Sequence, residues 1–128
     1  MRTVTLDAFI RGHHHIVKPK IQRNLYVAHR DWKTLYVRYS RRFIEGVWWN
    51  RVIDLATIEA KNPGKGAFFR MVRAIRRRYP DLGIYVECVV TARFSEHLKQ
   101  RGFVCTSPDL DWGSYFLQPA APLLEIGS

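Results

Sequence analysis

The sequence predicts a single α/β domain of the α+β kind, and three observations carry that prediction. Before residue 61, stretches of alternating apolar and polar residues follow one another closely, as the strands of an antiparallel meander do. The apolar, β-branched run RVIDLATIEA (51–60) then exits into KNPGKG, and AFFRMVRAIRRRY switches to helical spacing. After the stop signal PDLG, a second apolar run, IYVECVV, leads into TARFSEHLKQRGF, which is helical again. Arg51 to Phe103 thus reads strand, glycine loop, helix, strand, helix, and the rest of the chain extends and covers that unit.

The 128 residues suit one domain with a core of its own. A hydrophobic content of 47% with four Trp excludes a disordered basic tail. No apolar run approaches the ~18 residues of a membrane span, so no membrane association is expected. Met1 to His15 carries Asp7, Arg11 and three His and does not read as a signal peptide. Cys88 and Cys105 fall in strand-like runs and make no disulfide framework; reduced thiols in a cytoplasmic protein are expected. The net charge of +10 calls for a partner of opposite sign: a nucleotide-bearing cofactor, a nucleic acid or an acidic protein surface.

Residues 1–23 read as an N-terminal helix and loop. Thr5 caps a helix with Leu6, Phe9 and Ile10 at helical spacing, and Gly12 ends it. His13, His14 and His15 are consecutive, so they point in different directions and chelate poorly; a solvated loop without metal is expected.

Residues 24–60 form the meander. NLYVAH (24–29) alternates, Arg30 to Thr34 is a polar connection, and LYVRYSRRFI (35–44) alternates again. Leu35, Val37 and Tyr39 share one face of that strand, and Tyr36 and Arg38 the other. Glu45-Gly46 is a turn signal, after which VWWNRVIDLATIEA returns as one or two strands. Trp48 and Trp49 point to opposite faces; core packing is the default reading for both, and a ligand-stacking role for either is the alternative.

Residues 61–103 carry the glycine loop, a helix, a strand and a second helix. Phe68, Met71, Val72, Ile75 and Tyr79 make one apolar stripe on the first helix. Arg70, Arg73 and Arg77 fall opposite it, with Arg76 and Arg78 at the margins and suited to the negative end of the helix. This face is either an ordinary solvated surface or one that meets phosphate or an acidic partner. Residues 104–118 hold a terminal strand pair, VCTS and SYFLQP, joined by the turn-forming PDLDWG. Residues 119–128 are a loosely held tail.

A strand whose exit loop is glycine-rich and opens a helix is suited to an anionic phosphate. Glycine lets the backbone approach the ligand, the N–H groups of the first turn are unpaired, and the macrodipole favours negative charge there. The ordered series resembles the GNAT superfamily of N-acetyltransferases over roughly the C-terminal two-thirds of the chain. Gly64-Lys65-Gly66 matches that family's Gly-Lys-Gly, Met71, Val72 and Ile75 its aliphatic helix positions, and Gly102-Phe103 the Gly-Phe that ends its second helix. Thr91 stands where the family opens that helix with Asn. Pro63 and Phe68 depart from its Arg/Gln and its second Gly/Ala. The alternative register Lys61-x-x-Gly64-x-Gly66 restores a basic first residue and both glycines but spoils the helix match.

The resemblance implies a mixed, mostly antiparallel twisted sheet with a central parallel, splayed strand pair and flanking helices. It implies acetyl-CoA, or another acyl-CoA, bound by Ala56, Thr57 and Ile58 at the strand end and by Lys61, Gly64, Lys65, Gly66, Ala67 and Phe68 of the loop and first turn. It further implies direct attack of an amine on the thioester, which needs a base, an oxyanion donor and an acid for the leaving thiolate. The family's frequent catalytic Tyr is Leu98 here. Ser95 and His97 are the nearest proton donors, and Glu59, at the end of the central strand, is the first choice of base. Glu87, an acid in an apolar run, is the second; it is either catalytic, with a pKa raised by burial, or held in a buried ion pair with an Arg. Asp54 faces the same alternative.

Three functions of different class are compatible with these residues. The first is an acyl-CoA-dependent N-acyltransferase acting on an unidentified amine, a protein among the acceptors considered. The second is a catalytically idle protein of the same fold that binds an acidic protein or nucleic acid through Arg70, Arg73 and Arg77. Its compactness resembles small phage-encoded members of the superfamily, which would place it in the host cytoplasm. The third is a nucleic-acid-binding domain that uses the alternating aromatics and basics of LYVRYSRRF. Monomer and homodimer are both open.

Overall fold

A computed structural model describes residues 4–14, 23–62, 64–89, 92–106 and 113–120. The readings of His15, Pro63 and Thr91, of the PDLDWG linker before Gly113 and of the tail beyond Ala120 lie outside the described residues, as do the side chains of His13, His14 and Cys88. The elements run α1 (Leu6–His14), β1 (Arg23–Tyr26), β2 (Trp32–Ile44), β3 (Val47–Ala60), α2 (Ala67–Arg78), β4 (Gly83–Val89), α3 (Ala92–Gln100), β5 (Val104–Cys105) and β6 (Gly113–Leu117). The strands form one mixed, mostly antiparallel sheet in the order β1-β2-β3-β4-β6-β5, in which, among the described strands, only β3 and β4 run parallel.

Local chemistry accounts for the breaks between elements. Thr5 caps α1: its Oγ1 accepts the Ala8 N–H at 3.2 Å. The helix continues through Gly12 to His14 rather than ending there. Glu45 and Gly46 lie at φ 49° and φ 80° between the paired Ile44 and Val47, the two left-handed positions of a type I′ hairpin. At the end of α2, the Tyr79 N–H still reaches the Ile75 carbonyl at 2.8 Å, and Pro80 then stops the helix. Arg76 ties off that corner by donating to the carbonyls of Pro80, Leu82 and Gln118 at 2.8–3.0 Å. It is thus a structural clamp rather than a margin of the solvated face. α3 ends in a Schellman motif, with Phe103 N–H to Leu98 O at 3.0 Å and Gly102 N–H to Lys99 O at 3.1 Å. Gly102 takes φ 102°, and Leu98 and Phe103 are both in the core. The Gly-Phe signature therefore has a local cause, helix termination.

Strand alternation sorts the sheet into two unlike faces. Leu35, Val37, Tyr39, Ile53, Leu55, Ile84, Val86 and Leu117 join one buried cluster with Phe9 and Ile10 of α1, Met71 and Val72 of α2, and Leu98 of α3. All three helices thus pack on the same face. The other face carries a small cluster of Ile44, Val52 and Phe116, with Trp49 and Tyr85 against it.

Two further sequence expectations change, and one open alternative is decided. β2 begins at Trp32, so the polar connection shrinks to Arg30 and Asp31; the Trp32 ring is buried and its backbone pairs with Ala60. VWWNRVIDLATIEA is one strand, bent where two residues of β3, Asn50 and Arg51, oppose Arg41 alone. Trp48 is 58% exposed instead of packed, because β2 and β3 run on past Gly83, where β4 begins. Trp49, its neighbour, packs on Phe116 with ring centroids 5.4 Å apart.

Candidate functional site

The parallel ladder between β3 and β4 is short. It runs from Val52 opposite Gly83 to Leu55 opposite Val86 and stops, although β3 continues to Ala60 and β4 to Val89. Beyond that point β3 stays with β2, through Thr57 opposite Tyr36 and Glu59 opposite Thr34, whereas β4 stays with β6, through Val89 opposite Gly113. Past the ladder the two strands therefore pair with different neighbours, and each is followed by a helix, β3 by α2 and β4 by α3.

The loop before α2 is anchored by the Lys61 N–H, which donates to the Asp31 carbonyl at 3.0 Å. Gly64 (φ 81°) and Gly66 (φ 75°) both adopt the left-handed conformation that a side chain disfavours, and Gly66 stands at the N-cap of α2. No side chain caps this helix and its first turn holds no acid, so no side-chain acceptor or carboxylate answers its first-turn amides and dipole. Lys61, Gly64, Lys65 and Gly66 are exposed, and so is Thr57 on the strand; Ile58 is half-buried. Arg70 folds back across the loop, its Nη1 donating to the Lys65 carbonyl and its Nη2 lying 3.8 Å from Asp31. This arrangement can hold a phosphate-bearing ligand by backbone amides with Lys61, Lys65 and Arg70 around it.

Ala67 and Phe68 are both buried, Phe68 as the first residue of the apolar stripe on α2. Phe68 meets Phe94 of α3 edge-on, with centroids 5.0 Å apart, and lies 6.3 Å from Phe103. The rings tie the first turns of the two helices together, so a ligand arm between the strand ends would run beside them.

The expected proton-transfer groups are dispersed. Glu59 is exposed and accepts a hydrogen bond from Thr34 Oγ1 at 3.2 Å. His97 is exposed, and the Ser95 and Tyr115 hydroxyls are hydrogen-bonded to each other. Leu98 is fully buried core. Among the described residues, no hydrogen bond or ion pair joins any two of Glu59, Glu87, Ser95 and His97.

Glu87 is the first β4 residue past the ladder, on the face away from the helices. There it accepts from Arg38 Nη1 at 3.0 Å and from Arg42 Nη2 at 2.8 Å. Arg42 also donates to Asp54 Oδ2 at 2.6 Å, and Arg38 lies 3.6 Å from the same oxygen. Asp54 is wholly buried, and its Oδ1 has no protein partner. Burial, together with a hydrogen bond to Glu87, pushes Asp54 up to about 7 against the opposing pull of Arg42. Arg42 also stacks on Tyr85 at 4.2 Å. Sequence patterning alone gives Arg38 and Arg42 no role in this cluster. A signal exists in strand period: positions 38 and 42 share a face, and antiparallel pairing brings that face against Asp54.

A concavity among the described residues lies elsewhere. A cleft of about 240 Å³ at the far end of the sheet is lined by Ile44, Val47, Trp49, Val104 and Phe116, with no residue of the glycine loop. Among the described residues no His, Cys, Asp or Glu cluster is placed to hold a metal ion, and no helix is long and apolar enough to cross a membrane. No family model, no curated protein and no solved structure matches the chain.

Proposed function

We propose that the protein binds an acyl-CoA, acetyl-CoA first among them, and transfers the acyl group to an amine, in the manner of the GNAT-like N-acyltransferases that the sequence resembles. One observation carries this reading: a parallel strand pair whose ladder ends after Leu55 and Val86, followed by an uncapped helix N-terminus opened by two left-handed glycines. The pyrophosphate meets the amides from Gly64 to Ala67, and the pantetheine arm follows the strand ends past Thr57 and Ile58. Glu59 is the base best exposed to an incoming amine. Glu87 is less suited to that role, since two guanidiniums already bond its carboxylate.

A second reading has its own support. Leu98 is core, Phe68 bridges the helices, and the proton-transfer groups are dispersed, all of which suit a domain that binds an acidic protein or nucleic acid through α2 without catalysis. Isothermal titration of acetyl-CoA separates the two. Micromolar binding that Gly66→Glu abolishes, with the fold retained by circular dichroism, supports the acyl-CoA site. No heat and no rise in Tm with acetyl-CoA overturn it. In that event the second reading requires that Arg73→Glu with Arg77→Glu weaken binding to a polyanion column while Gly66→Glu does not.

A further inference from the structure

The β2–β3 hairpin projects past the body of the sheet, because Val47 to Arg51 precede the first β4 contact at Val52. Phe43 and Trp48, directly paired across the hairpin, are 59% and 58% exposed. Their ring centroids lie 5.3 Å apart, and the Arg41 guanidinium sits 4.8 Å over the Trp48 ring. Arg41 is in turn held by its Nε, which donates to Asn50 Oδ1 at 3.2 Å. Exposing two large rings is unfavourable in water, yet the same strands pack the half-buried Trp49 on Phe116 one position away. The local charges are Arg41, Glu45 at the turn, and Arg51, which lies 3.8 Å from Asp81. Beyond them stands the last turn of α2 with Arg76, Arg77 and Arg78, in a chain of net charge +10.

Aromatic faces beside a guanidinium on a strongly cationic body match one ligand chemistry above others: unpaired bases on a phosphate backbone. A duplex does not offer this, because its bases already stack on one another. We propose that the tip of the β2–β3 hairpin binds single-stranded nucleic acid, Trp48 and Phe43 taking bases and Arg41 a phosphate. This site is independent of the acyl-CoA reading.

The test is fluorescence anisotropy with a labelled oligothymidylate of about ten nucleotides, within the ~4–16 nucleotides that one such domain covers. At about 50 mM salt the single strand is expected to bind, with a duplex of the same length at least tenfold weaker. Trp48→Ala should weaken the single strand by roughly five- to a hundredfold, the range for losing one stacked base, whereas Trp48→Phe should keep most of the affinity. Arg41→Gln should lower the slope of log K against log salt by about 0.7, one phosphate's share on a single strand. Gly66→Glu should leave oligonucleotide affinity within about twofold, so the failure of either site is read separately. Absence of single-strand binding, equal binding of duplex, or a Trp48→Ala protein that binds as wild type with an unchanged circular dichroism spectrum would each overturn the proposal. So would concentration-dependent dimerisation abolished by Trp48→Ala in a protein that ignores oligonucleotides, which would assign the tip to a second copy of the chain.

Discussion

The two faces of β3 are built by opposite means. Towards the helices it presents Ile53 and Leu55, at 0% and 1% exposure, to a continuous apolar cluster. On the reverse face, between these same residues, it presents Asp54, equally inaccessible, to two guanidiniums and a second carboxylate. The helix face gains from burial in proportion to area, and no geometry has to be held. On the open face, desolvation of Asp54 has already raised its pKa, so the ionic cluster fastens β2, β3 and β4 while contributing little net stability. One strand can therefore derive its stability from one face and its alignment from the other.

The largest effect should come from the helix face. Leu55→Ala is expected to cost about 2–5 kcal/mol, read as a loss in denaturation midpoint at unchanged m-value. Should it cost less than about 1 kcal/mol, the apolar cluster would not be the stabilising layer.

Next comes the ionic cluster broken on one side. Arg42→Ala removes the cation shared by Asp54 and Glu87 and the stack on Tyr85, and should cost about 2–3 kcal/mol, below the ~3–5 typical of fully buried pairs because Arg42 is a quarter exposed. Replacing Arg38, Arg42, Asp54 and Glu87 together by apolar residues of similar size should cost less than Arg42→Ala alone. The reverse order would mean that the ion pairs themselves stabilise the fold.

Titration sharpens the same contrast. An acid whose folded pKa is raised binds its proton more tightly in the native state, so its contribution is intact at low pH and is lost as pH rises towards the folded value. For Asp54 that window runs from about 4 to about 7, with a loss on the order of a few kcal/mol at most. Wild-type Tm should fall between pH 5 and pH 8, and Asp54→Asn, which mimics the protonated form, should flatten the profile. A wild-type Tm that rises across this interval would show that Asp54 is ionised throughout.

What the sequence discloses divides along the same line. Strand and helix periods are local, so the meander, the α2 stripe and the Thr5 cap are legible in the residue pattern alone, as is the turn at Glu45-Gly46. The glycine loop is legible too, because left-handed backbone narrows the residue choice to glycine at Gly64 and Gly66. Long-range partnership is not. That Glu87 meets Arg38 and Arg42 depends on strands 45 and 49 residues away in sequence. The exposure of Trp48 depends on where β4 begins, and the clamp made by Arg76 depends on the return of β6, neither of which periodicity encodes.

The smallest effect on stability separates the two glutamates. Glu59 lies on the same strand as Asp54 but beyond the ladder, exposed, with one hydrogen bond from Thr34. Glu59→Gln keeps an acceptor for that bond and should change stability by less than about 0.5 kcal/mol, as surface substitutions do. Glu87→Gln, by contrast, removes the charge that bonds both arginines and should cost about 1–2 kcal/mol, with Tm no longer falling as steeply above pH 5. The pair also bears on chemistry. If Glu59 deprotonates an amine, Glu59→Gln keeps acetyl-CoA affinity and Tm but loses at least tenfold in acyl transfer to a generic primary amine such as a lysine-bearing peptide. A Glu59→Gln protein as active as wild type would remove Glu59 from the reaction, leaving Glu87, whose two arginines would first have to release it, as the remaining acid of the pair.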